Sequence, residues 1–115
     1  MSDLEAIKLK ARKFAEERDW NQFHSPKNLV MALGVEAAEL SEIFQWLTDA
    51  QSNDLSEETK ARVADEIADV QVYLARLADR LGIDIAAAVE QKMQKNAEKY
   101  PAELVRGSAR KYSEY

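Results

Sequence analysis

In "LVMALGVEAAELSEIFQWL", residues 29–47, the apolar side chains return at every third or fourth position. At about 100° per residue, Leu29, Leu33, Ala37, Leu40, Ile43, Phe44 and Leu47 share one arc. A strand cannot use this repeat, because its faces alternate with a period of two. The same period places Leu4, Ile7, Ala11 and Phe14 together, and again Val63, Ile67, Val70, Leu74, Leu77 and Leu81. No alternating β-branched run is bounded by turn signals, and three Gly and two Pro leave few breaks. The expected class is therefore all-α.

The punctuation predicts four long helices. Ser2, Asp3 and Glu5 open a first helix that runs through Glu17. "RDWNQFHSPKN" interrupts it, and Ser25 before Pro26 opens a second helix to about Leu47. Ser56 caps a third over about Glu57–Leu81, stopped by Gly82. Asp84 opens a fourth to about Tyr100, which Pro101 ends. Connections this short favour antiparallel neighbours, hence an antiparallel bundle of about four helices. Val72 lies off the third helix's stripe and Ala86–Val89 add apolar area to the fourth, which suggests surface shared with another subunit.

A chain of 115 residues fits one domain, here taken as 1–115, with about 102–115 as a mobile tail or a closing segment. A net charge of −5 argues against a binder of polymeric nucleic acid, which needs a basic stripe. It leaves room for a small phosphorylated ligand, since a divalent cation inverts the local sign. There is no cysteine, so no disulfide or thiolate metal site can form. "MSDLEAIKLKARKF" lacks the apolar centre of a signal peptide, and no apolar run approaches the roughly 20 residues of a membrane span. The expected location is the cytoplasm, without membrane partners.

Acidic residues interrupt this pattern. Glu36 falls inside the apolar arc of the second helix, with Glu39 and Trp46 on one edge. In the third helix Glu66 and Tyr73 lie on one edge, with Asp69 slightly further round. An ionised carboxylate costs several kcal/mol to bury alone, so it must be paired, protonated or bound to a cation. Side chains at i, i+3 are neighbours, and two such acidic pairs suit Mg²⁺ or Mn²⁺. Solvated Glu pairs are nonetheless common on helices, and by pattern alone the two readings balance. Di-iron bundles use Glu-x-x-His, and the single histidine, His24, has no Glu at that spacing.

"GVEAAEL" and "DEIADV" together resemble the E-x-x-E, spacer, E-x-x-D motif of the all-α nucleoside triphosphate pyrophosphohydrolases, the MazG-like superfamily. The wider pattern often has a further Glu where this chain has Val35. "FAEERDWNQFHSPKNL", "ELSEIFQW", "KMQKNAEKYP" and "RGSARKYSEY" are similar to the dCTP pyrophosphatase branch, over about Phe14–Tyr115. The resemblance implies dimers or tetramers of helical subunits that use Mg²⁺ to cleave a deoxynucleoside triphosphate to monophosphate and pyrophosphate. It implies Glu36, Glu39, Glu66 and Asp69 as metal ligands. It places Trp20, His24, Trp46 and Tyr73 around base and sugar, and Lys92 and Asn96 at polar nucleotide contacts. Some animal members have a His where this chain has Ala11, which leaves base selectivity open.

The residues can support that chemistry. Phosphoryl substitution rests on positioning and charge neutralisation, so an acidic metal nest with nearby cations is the expected equipment. Glu39, with Glu36 beside it, is assigned the proton of the attacking water, although the spacing does not choose among the four carboxylates. Lys92, Asn96 and Lys99 share one face at i, i+4, i+7 and could meet the phosphates; a solvated face is the alternative. Arg106, Arg110 and Lys111 could close over them. Trp and Tyr can stack on a base, while His24 and Asn28 could hydrogen-bond its edge or the sugar. Trp46 and Tyr73 lie on opposite sides of the acidic cluster, so one nucleotide touches both only by spanning it or by using a second subunit. Two other readings stay open: a broad or non-canonical nucleoside tri- or diphosphate hydrolase, and a helical interaction module without activity.

Overall fold

The computed structural model describes residues 2–109 and Ser113; Arg110 and Lys111 lie outside them. The described residues form helices and no strand: α1 (Asp3–Glu17), a 3-10 turn (Asn21–Phe23), α2 (Pro26–Phe44), α3 (Asp49–Ser52), α4 (Glu57–Leu81), α5 (Ile85–Lys99) and α6 (Ala102–Val105). No helix among them is long and apolar enough to cross a membrane.

The four long helices start where side chains can accept from exposed backbone donors. Ser2 Oγ takes the Glu5 N–H, Ser25 Oγ that of Asn28 and Ser56 Oγ that of Thr59, each at 3.1 Å. Asp84 Oδ1 accepts from Ala87 N–H at 3.0 Å. Such caps contribute about 1 kcal/mol each. At the other end of α4, Gly82 turns left-handed at φ 66°, and the Ile83 N–H reaches back to the Ala78 carbonyl at 2.8 Å.

One boundary departs from expectation. α2 stops at Phe44, three residues short of Leu47, so Trp46 stands on a turn and not on a helix edge. The reason is local: Thr48 opens α3 with a reciprocal capping box, its N–H donating to Gln51 Oε1 at 2.9 Å while its Oγ1 accepts from Gln51 N–H at 3.1 Å.

The chain forms two compact units, Met1–Ile83 and Asp84–Tyr115. In the first, α4 packs against both α2 and α1. His24, just before α2, meets Arg76 late in α4, while Glu36 further along α2 meets Glu66 earlier in α4. Advancing along one helix means retreating along the other, so the pair is antiparallel. Ala11, Ala15, Ala75 and Ala78 are buried, small residues that allow close helix approach, and Leu29 is 1% exposed. Of the predicted α4 stripe, Ile67, Leu74 and Leu81 are exposed, whereas Glu66 and Tyr73 are partly enclosed. With α1 on one flank and α2 on the other, the covered arc of α4 is turned away from the stripe's centre. The second unit holds α5, the fourth long helix, and α6; the Tyr100 N–H closes α5 on the Asn96 carbonyl at 2.8 Å.

Candidate metal centre

α2 brings Glu36 and Glu39 to one flank a turn apart, and the antiparallel α4 brings Glu66 opposite them. One carboxylate oxygen from each lies within 4.8 Å of the others. Oε2 of Glu36 and Oε2 of Glu66 are shut off from solvent and have no hydrogen-bond partner. Burial, then the adjoining Glu39 and Glu66 carboxyls, then the charge of Asp69 push the Glu36 carboxyl up to about 7. Burial likewise raises Glu66, with Glu39 and Asp69 adding to it. Asp69 is not part of the 4.8 Å group, but it is near enough for its charge to act on both.

Two enclosed, unpartnered oxygens facing further carboxylates are what a cation would satisfy. The donors are all carboxylate oxygen, with neither His nor Cys in the group, and such a set fits a hard divalent cation better than zinc.

Beside the centre, a cavity of about 530 Å³ opens between α1, the following turn and α4, within the roughly 300–1,000 Å³ usual for small-molecule sites. Asp69, Trp20, His24 and Tyr73 all line it. The chain reverses after α1 because Asp19 adopts φ 54°, a left-handed conformation that Asp tolerates better than most side chains. That reversal lets the Trp20 N–H bond the Ala15 carbonyl at 2.9 Å. The indole then meets Phe14 edge-on at 5.7 Å between ring centres and His24 at 6.3 Å. Burial, then the cations Arg76 and Arg80, hold His24 below its ordinary pKa.

Other expected residues are placed differently. Asn28 is exposed and does not line the cavity; its Nδ2 donates to the Phe23 carbonyl at 3.0 Å, bracing the entry to α2. Trp46 is 87% exposed on its turn and is also absent from the lining. Lys92, Asn96 and Lys99 lie on α5, in the second unit, and Arg106 follows α6.

Sequence reasoning missed Phe14 as a wall of the cavity and missed the polar cluster under it. Arg76, 3% exposed, donates to Asp79, Asn21 and His24, and Arg12 of α1 grips the same Asp79. An arginine between Ala75 and Leu77, three residues before an aspartate, was the available signal.

An all-helical unit here sets carboxylate oxygens of the kind a hard cation prefers beside a cavity walled by aromatic rings. The chain belongs to the MazG-like family, whose model matches residues 31–115. It is 46% identical over 113 residues to dCTP pyrophosphatase 1 of Rattus norvegicus and, equally, of Homo sapiens. Each alignment covers 96% of this chain and 66% of the relative, so the chain spans slightly less than two thirds of their length. Among solved structures, a pyrophosphatase from Archaeoglobus fulgidus superposes with a TM-score of 0.82 at 40% identity, covering 88% of this chain and 94% of that one.

Proposed function

We propose that the chain hydrolyses a deoxynucleoside triphosphate, dCTP or a close relative, to the monophosphate and pyrophosphate, with Mg²⁺ (or Mn²⁺) at the carboxylate cluster. The carrying observation is the pair of enclosed, unpartnered Glu oxygens on an acidic site adjoining an aromatic cavity. The dCTP pyrophosphatases similar to this chain support the reaction and the base.

Glu36, Glu39 and Glu66, joined by Asp69 at the cavity wall, would hold the cation. When bound, it supplies Lewis-acid neutralisation of phosphate charge and acidifies water. Trp20 and Tyr73 offer faces and edges to the base, and His24 adds a polar contact. Water attacks the α-phosphorus, the bond to the bridging oxygen breaks, and pyrophosphate leaves. Glu39, the exposed member of the carboxylate group, takes the water's proton while Glu36 keeps the charge centre in place. Trp46, Lys92 and Asn96 remain proposed nucleotide contacts on the strength of the family resemblance, Asn28 for its hydrogen-bonding amide and Lys99 for the α5 face it shares with Lys92 and Asn96.

The chain is further proposed to act as one domain, since the family match runs through both units. It is proposed to work as a dimer or tetramer, because Met31, Val35 and Ile67 leave large apolar side chains more than half exposed. A deoxynucleotide substrate and a chain without cysteine suit the cytoplasm. The largely aromatic and apolar wall also favours a second reading, a broader nucleotide diet, because every base has a face to stack.

Product analysis with each deoxynucleoside triphosphate, in Mg²⁺ or in EDTA, tests the proposal. The expected result is Mg²⁺-dependent monophosphate and pyrophosphate, fastest with dCTP, and lost in Glu36→Gln. Equal rates across bases would favour the broad hydrolase. No turnover of any nucleotide would remove the enzyme and leave a helical interaction module.

A further inference from the structure

Arg76 is the buried charged residue among the described ones, and its guanidinium ties α4 to the turn that follows α1. Nη1 donates to Asp79 Oδ2 at 3.1 Å within α4, and Nη2 donates to Asn21 Oδ1 at 2.7 Å in the 3-10 turn. The third donor, Nε, faces His24 Nδ1 at 3.4 Å. Both Arg76 and His24 line the cavity.

A guanidinium has five N–H donors, no acceptor and a proton it does not lose in proteins. The ring nitrogen it faces must therefore present a lone pair. A neutral imidazole has only one such nitrogen, so the proton is left on the other. The surrounding charges agree. Arg76 and Arg80 of α4 oppose a positive charge on the ring, and Arg12 and Arg76 already engage Asp79. The other titratable groups lining the cavity are Lys10 of α1 with Asp69 and Tyr73 of α4; none is hydrogen-bonded to His24.

We propose that Arg76 is a positioning residue that fixes His24 as the Nε2–H tautomer, so that the ring offers the cavity a hydrogen-bond donor for an acceptor oxygen of the bound nucleotide. This rests on the reading that the cavity receives the nucleotide. It assigns Arg76 no contact with the reacting atoms. The donor would be held by a residue that sequence patterning places in no site, through a bond that only the fold can make.

The chain has one histidine, so ¹⁵N-histidine labelling yields one pair of ring nitrogens without ambiguity. Long-range ¹H–¹⁵N correlation at neutral pH on the full chain should show Nδ1 bare and Nε2 protonated. In Arg76→Met the two tautomers should mix, and in Arg76→Lys the wild-type pattern should be partly restored. A wild-type spectrum with the proton on Nδ1 overturns the proposal, whether or not the variants fold.

Kinetics test the purpose of the lock. Losing one neutral hydrogen bond corresponds to roughly three- to tenfold in affinity. His24→Ala should raise KM for dCTP by about that factor with little change in kcat, and Arg76→Met by a smaller factor set by the fraction of rings left in the other tautomer. The double variant should be no worse than His24→Ala alone, whereas multiplying losses would overturn the linkage between the two residues. Absence of turnover in the wild type would refute the nucleotide reading, and with it the donor's purpose, while the tautomer would still be measured. The opposite tautomer alongside full turnover would refute the lock and spare the enzyme.

Discussion

Glu36 carries an enclosed carboxyl oxygen without a hydrogen-bond partner, and burial, ahead of the adjoining Glu39 and Glu66 carboxyls, raises its proton affinity. Its folded pKa is raised from 4.5 to about 7, so between these values the folded state holds a proton that the unfolded state has lost. Without metal, this group's contribution to stability is therefore greatest at low pH and declines as pH rises through that window. Urea midpoints in EDTA should fall between pH 5 and pH 8 by more in the wild type than in Glu36→Gln. A smaller or equal fall would show that Glu36 is not held in the protonated form. With a cation present the order should reverse: at about 100 times its Kd, Mg²⁺ should stabilise the wild type by roughly 2.7 kcal/mol and Glu36→Gln far less. Glu36 was legible in the sequence because it breaks a helical arc. Arg76 was not, since its partners on the turn, Asn21 and His24, are distant along the chain.

At the scale of the helix, the ends were legible and the faces only partly. Ser2, Ser25, Ser56 and Asp84 cap as their positions predict, because a cap needs only residues three apart. α2 ended early because Thr48, just beyond it, takes the extended conformation of the N-cap that opens α3. Which arc of α4 is enclosed depends on α1, and α1 is fastened to α4 where Arg12 Nε meets Asp79 Oδ2 at 2.9 Å. Hydrogen bonding from Arg12, ahead of its charge and that of Arg76, holds the Asp79 carboxyl below its ordinary value despite partial burial. In Asp79→Ala the buried Arg76 would lose that carboxylate, and chemical unfolding should register a loss of about 3 kcal/mol. A loss under about 0.5 kcal/mol would mean that the cluster behaves as a surface ion pair.

For the whole molecule, the question is what covers the apolar side chains the chain leaves open. Met31 of α2 is 59% exposed, and Ile67 and Leu74 of α4 are also exposed. If copies of the chain meet over these helices, light scattering should give a small multiple of 13.0 kDa, and Met31→Glu should shift it towards the single-chain mass. A monomeric wild type would refute that assembly. The helical class, four long helices, their caps and the paired carboxylates were all determined by the sequence alone, because they depend on neighbours within about a turn of one another. The meeting of Glu36 with Glu66, the cavity over Trp20 and Tyr73, and the junction of Arg76, Asp79 and His24 were decided only by tertiary structure. Those contacts join residues far apart in sequence, and they depend on how α1, α2 and α4 rotate and slide against each other as they pack, which no local periodicity encodes.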